Sequence, residues 1–98
     1  VFRHIVLLTL NPDATDEDHD RIVQGLAELP AAISAIRSYT IGRDAKLNDG
    51  NADICVVADF DDASGYLVYR DHPAHVEVIQ QRILPVLASR CAIQHEIL

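Results

Sequence analysis

The strand-like runs of this chain are apolar on both sides, and that restricts its fold more than any other feature. The segment Phe2–Leu10 (FRHIVLLTL) is short, aliphatic and β-branched, and it stops at Asn11-Pro12, which marks a strand. Side chains alternate across a strand. Phe2, Val6, Leu8 and Leu10 therefore share one face, while Ile5 and Leu7 share the other. The segment Ala52–Phe60 (ADICVVADF) repeats the arrangement, with Cys55 and Val57 opposing Ile54, Val56 and Phe60. A sheet of such strands covered by helices on one side leaves large side chains wet on the other, at about 1.5–3 kcal/mol each. Apolar patches of that extent rarely stay bare. The pattern predicts a two-fold homodimer joined sheet to sheet.

Between the strands the apolar period changes from two to a helical one. Thr15 offers an N-cap with Asp18 three residues on, an acidic form of the capping box. From there Ile22, Leu26, Leu29, Ile33 and Ile36 mark one face of a helix that Pro30 must kink or end. Ser38–Arg43 (SYTIGR) alternates as a second strand, followed by a polar loop with the turn-forming Asn48-Asp49-Gly50. After Phe60, Asp61-Asp62 caps a short helical piece holding Tyr66, Leu67 and Tyr69. Pro73 suits the first position of a further helix through Val76, Ile79 and Ile83. Pro85 closes or bends that helix, and Cys91–Leu98 is the final strand. The order is strand-helix-strand twice over. Its natural solution is an α+β split βαβ arrangement, with an antiparallel sheet and both helices on one face.

Length and charge narrow the function. Ninety-eight residues make one domain, 1–98, without room for a cleft between lobes. Eight basic against fifteen acidic residues give a net charge of −7, which argues against nucleic-acid or anionic-membrane partners. The local crowd of Asp13, Asp16, Glu17, Asp18 and Asp20 reads as the solvated, dipole-favoured start of a helix. Cys55 and Cys91 lie in apolar runs without metal-ligand or C-x-x-C spacing. They read as small buried hydrophobes in a reducing compartment. No apolar stretch reaches the roughly 18 residues of a membrane span, and the N-terminal run shows no cleavage site. The expected location is the cytoplasm. No phosphate-binding glycine loop and no G-x-S-x-G elbow occurs, so no cofactor is expected.

The densest cluster of chemically capable residues is Tyr69-Arg70-Asp71-His72-Pro73-Ala74-His75. His72 and His75 are three apart, as metal ligands sometimes are. Pro73 breaks the helix between them and no third ligand is placed to help, so no metal site is expected. His72 suits capping or packing ahead of Pro73. His75 falls in the first turn of the new helix, where the dipole disfavours imidazolium. A neutral ring there suits a general base at neutral pH. Tyr69, across the kink, is placed to meet it. The pair either polarises a carbonyl and removes a proton, or simply ties the kink together. His4 shares a strand face with Val6 and Leu8, where it is either a satisfied core residue or part of a pocket wall.

Taken together, His4-Ile5-Val6-Leu7-Leu8, Gly42, Asn48-Asp49-Gly50, Phe60 and Tyr69-x-x-His72-Pro73-x-His75 resemble the stress-responsive dimeric A/B barrel domain family over essentially the whole chain. The resemblance implies a ferredoxin-like monomer whose sheet packs on that of its twin to form a homodimeric α+β barrel. It also implies a pocket between sheet and helices, lined by His4, Val6, Leu8 and His72 near Tyr69 and His75, that takes a small apolar molecule. Plant polyketide cyclases of this family have their catalytic tyrosine and histidine at the places of Tyr69 and His75, and a pocket histidine at that of His4. On that likeness the alternative is a cofactor-independent cyclase or isomerase, with His75 as general base and Tyr69 as orienting donor. A third reading is a structural protein with a filled interior.

Overall fold

The computed structural model describes residues 1–98. The chain runs β1 (Phe2–Leu10), α1 (Asp16–Ala27), α2 (Leu29–Ala32), β2 (Ser38–Arg43), β3 (Ile54–Phe60), α3 (Ala63–Asp71) and α4 (Pro73–Val78). A π turn (Ile79–Ile83), a 3-10 turn (Leu84–Val86) and β4 (Leu87–Glu96) complete it. The four strands pair antiparallel in the order β2-β3-β1-β4. That is the ferredoxin-like order, with the helices layered on one face. No helix is long and apolar enough to cross a membrane.

Register assigns every strand residue to a face. Val6 pairs with Val56, Leu8 with Ile54 and Phe2 with Phe60, and all but the half-buried Phe2 are buried against the helices. Ile22 and Leu26 of α1, Leu29 of α2 and Ile33 beyond it complete that core. The helix that Pro30 was expected to kink or end divides at Glu28. α1 ends there, Pro30 sits in the first turn of α2, and Ile33 is already extended.

Local caps form as the residues dictate. Thr15 Oγ1 accepts from the Asp18 amide and Asp18 accepts from the Thr15 amide, at 3.1 and 2.9 Å, satisfying two donors at the start of α1. Asp62 caps α3 through the Gly65 amide at 3.1 Å. Gly65 also helps α3 settle on β3: a Cβ there would lie 3.2 Å from Phe60 Cβ, so a larger residue would make Phe60 give by a few tenths of an ångström.

Three expectations need correction. β3 begins at Ile54 rather than Ala52, because the Asp53 carboxylate accepts the Leu10 amide at 2.7 Å and closes the ladder with a side chain. β4 spans Leu87–Glu96 rather than Cys91–Leu98. Pro85 confines the 3-10 turn to three residues, and the free edge of β1 then recruits Leu87 and Ser89 across a bulge at Thr9/Leu10. The cysteines are not core residues. Both flank Leu7 on the face turned away from the helices, with Cys55 half-buried and Cys91 exposed. They stand two strand spacings apart, about 9–10 Å, too far for a disulfide within the chain.

That second face carries Ile5, Leu7, Cys55, Val57, Cys91 and Ile93, with Leu7 39% and Ile93 56% exposed. It is bounded by the Arg3–Asp59 pair, bidentate at 2.7 and 2.9 Å.

Candidate functional site

Under the helices, the inner face of the sheet opens into a cavity of about 350 Å³. Its floor is β1 and β3: His4, Val6, Leu8 and Val56. Tyr69 of α3 and His75 of α4 stand over one side, Ile79 and Ile83 of the π turn over another, and Arg90 of β4 lies at the rim. The π turn follows from Pro85. A proline there has no N–H for the Gln81 carbonyl and its ring crowds that oxygen. The helix widens instead, and the Leu84 amide donates to the Ile79 carbonyl.

His4, Val6, Leu8, Tyr69 and His75 thus surround one space. His72 does not join them, which corrects its expected place in the wall. Its Nδ1 accepts the Ala74 amide at 3.1 Å and caps α4, because Pro73 leaves that first turn with unpartnered donors.

The histidine settings differ in a way that decides their chemistry. His75 Nδ1 lies 3.0 Å from the Arg70 carbonyl oxygen. A carbonyl only accepts, so a neutral ring keeps its proton on Nδ1 and leaves Nε2 with a free lone pair. Burial holds His75 below the ordinary histidine range, assisted by the Arg90 charge and opposed by the Arg70 carbonyl. Desolvation is thus the leading cause. His4 is 4% exposed, and its Nδ1 lies 2.8 Å from Gln94 Nε2. An amide nitrogen donates, so the His4 proton sits on Nε2. Burial first, then the Arg90 charge, lowers His4 to about 4. Both rings are neutral at pH 7.

Tyr69 meets His75 ring to ring, with centroids 4.1 Å apart. Its hydroxyl turns instead to that of Tyr39, at 2.9 Å. Burial pushes Tyr69 up to about 12, with the Tyr39 hydrogen bond opposing, so the phenol stays protonated and able to donate. Tyr69 is 1% exposed and is wedged among Phe60, Tyr66 and His4, with ring centroids 5.4–6.4 Å away. Ala58, which pairs with His4 across β1 and β3, spends little volume there and leaves space for these rings.

Two groups of the site were not singled out from the sequence. Tyr39 alternates with Ile41 on the inner face of β2, a signal present in SYTIGR. Arg90 pairs with Leu8, and its inward direction becomes visible only once β4 is known to begin at Leu87. No three His, Cys, Asp or Glu side chains gather closely enough to hold a metal ion.

A family model described as the stress responsive A/B barrel domain matches residues 2–97. No curated protein matches the chain. Among solved structures, it is similar to a dimeric ferredoxin-like protein of unknown function from Thermobifida fusca, at 38% identity and a TM-score of 0.89. That match covers 98% of this chain and 90% of the other. A dimeric protein of unknown function and ferredoxin-like fold from Bacteroides fragilis is similar at 28% identity and a TM-score of 0.85, over 98% and 95% of the two chains. The hydroxynitrile lyase of Passiflora edulis shares the fold, with a TM-score of 0.84 at 15% identity over 98% and 92%. The family match spans nearly every residue from β1 to the end of β4 and includes the whole cavity wall, so the chain belongs to the stress responsive A/B barrel domain family.

Proposed function

We propose that the protein is a homodimer whose subunits each bind a small, largely apolar molecule between sheet and helices. The observation that carries this reading is the cavity of about 350 Å³ with two neutral histidines in an otherwise mainly apolar wall. Its volume lies in the roughly 300–1,000 Å³ range of small-molecule sites, and its few polar groups converge as such sites require. A filled interior, the structural alternative, has no use for this space. Sheet-to-sheet dimerisation is supported by the apolar outer face and by the dimeric state of the Thermobifida fusca relative. The unpaired cysteines fit a reducing cytoplasm.

A second reading is favoured by one specific contact, His75 Nδ1 on the Arg70 carbonyl. It leaves Nε2 basic on a ring that lines the cavity, and a positioned neutral base of that kind is what cofactor-independent proton abstraction needs. In a cyclase or isomerase of this kind, Nε2 takes a proton from carbon next to a carbonyl. Tyr39 donates to the Tyr69 oxygen, and the Tyr69 proton then steadies the enolate oxygen. The enolate carbon bonds to a second carbonyl carbon of the same molecule. The alkoxide so formed recovers the proton from His75, with no net change of oxidation state.

The test is His75→Ala against wild type, with ligand binding followed by amide NMR and turnover of a small poly-β-ketone followed by chromatography. Under the catalytic reading the variant keeps its melting temperature within a few degrees and loses cyclisation by roughly two to four orders of magnitude. Binding without turnover in wild type supports the first reading alone. A large stability loss in His75→Ala, with no ligand bound by wild type, overturns both.

A further inference from the structure

The rim of this cavity holds an arginine, Arg90, that has no side-chain partner. Arg3, Arg37, Arg43 and Arg70 are each paired with a carboxylate, and Arg82 donates to the Arg21 carbonyl at 2.7 Å. Arg70 also reaches the cavity, but its guanidinium is held in a fork by Asp71 at 2.9 and 3.2 Å. Arg90 has no such anion, in a chain where carboxylates outnumber Lys and Arg fifteen to eight. Its direction is set by register. It pairs with Leu8, so both side chains leave the sheet on the helix side, and both line the cavity. Since His4 and His75 are neutral at pH 7, Arg90 carries the only uncompensated charge there.

An unpaired guanidinium over an apolar floor selects for a ligand with two parts. Its planar fork matches a carboxylate with two parallel N–H donors, while the aliphatic floor takes hydrocarbon. We propose that the ligand is an amphipathic monocarboxylate, its apolar body over Val6, Leu8 and Ile83 and its carboxylate on Arg90. This rests on the binding reading of the cavity and adds the ligand's charge class to it. It also assigns Arg90 as a specificity-determining residue.

The probes are octanoate and octanol, which share a hydrocarbon tail and differ in head-group charge. They are titrated at pH 7 into the full chain and into Arg90→Gln, Arg90→Lys and the remote control Arg21→Gln, with binding read by amide NMR. Octanoate should bind wild type about tenfold or more tightly than octanol. Arg90→Gln should erase that preference without weakening octanol, Arg90→Lys should keep part of it, and Arg21→Gln should keep all of it. Equal affinity for the two probes in wild type, or an undiminished preference in Arg90→Gln, overturns the assignment while leaving the binding reading standing. Failure of both probes to bind wild type overturns the two together. Arg90 is exposed, so its variants should fold, and a thermal melt of each checks that they do.

Discussion

Acidification from pH 7 to 5 should destabilise this protein through His4. His4 is lowered from 6.5 to about 4 in the folded chain, chiefly because burial penalises the charged ring. In the unfolded chain it titrates near 6.5. Between these values the unfolded state binds a proton that the folded state refuses, so stability rises with pH through this window and falls on acidification. Integrating between pH 7 and 5 gives a loss of about 2 kcal/mol, and the full shift is worth about 3 kcal/mol once the pH passes below 4. His75 is lowered for the same leading reason and adds in the same direction. The carboxylates held low by hydrogen bonds, Asp18, Asp59, Asp62 and Asp71, lose their contributions only as the pH falls below the ordinary carboxylate range. The two effects therefore separate. For a domain of this length about 2 kcal/mol lowers the melting temperature by roughly 8–15 °C. The assay is thermal unfolding at pH 7, 6 and 5 for wild type and His4→Gln, beside NMR titration of the His4 ring. Wild type should show the slope and His4→Gln should lose most of it, whatever its absolute stability. A flat wild-type profile, an equal slope in the variant, or a ring that titrates near 6.5 would refute the argument that His4 is kept neutral by burial.

Two further outcomes follow from the packing. Tyr39→Phe removes the partner of a hydroxyl on a residue that is 1% exposed, so it should cost about 1–2 kcal/mol. In urea this reads as a lower midpoint with an unchanged slope, and an unchanged midpoint would show that Tyr69 needs no partner. Leu7→Glu puts a charge at the centre of the outer sheet face between Cys55 and Cys91. A two-fold dimer carries that change twice, so the variant should sediment as a monomer at micromolar concentration where wild type is dimeric. A monomeric wild type, or a dimeric variant, would remove sheet-to-sheet packing from the proposal.

The local features were legible because they arise from neighbours in the sequence. The short β-branched, aliphatic run Phe2–Leu10, stopped by Asn11-Pro12, matches β1 to the residue, Thr15 and Asp18 form the expected capping box, and Pro73 opens α4 where a proline belongs. The spacing of Tyr69 and His75 around that proline brings their rings into contact. His72 takes the capping place that its position ahead of Pro73 suits rather than the pocket-lining one, because it satisfies the nearest free amide, Ala74, before it reaches any pocket. The start of β4 was missed because Leu87–Arg90 carries no strong strand pattern of its own, and β1 supplies the pairing.

What the amino-acid sequence determined by itself was the element order, the caps, the two-sided apolar strands and the membership of Tyr69 and His75 in one local motif. Which nitrogen of each histidine carries the proton, the bond of Tyr69 to Tyr39 and the unpaired Arg90 at the cavity emerge from the folded chain. The His75 proton is set by the Arg70 carbonyl five residues away, across the kink at Pro73. The Tyr69–Tyr39 and His4–Gln94 pairs instead join residues 30 and 90 apart, and Arg90 is aimed by its register with Leu8. A shift of one residue in that register reverses every side chain on the strand. Period and capping act within a few residues and so are written locally. The cavity exists only where β1, β3, β4 and the widened turn after α4 come together.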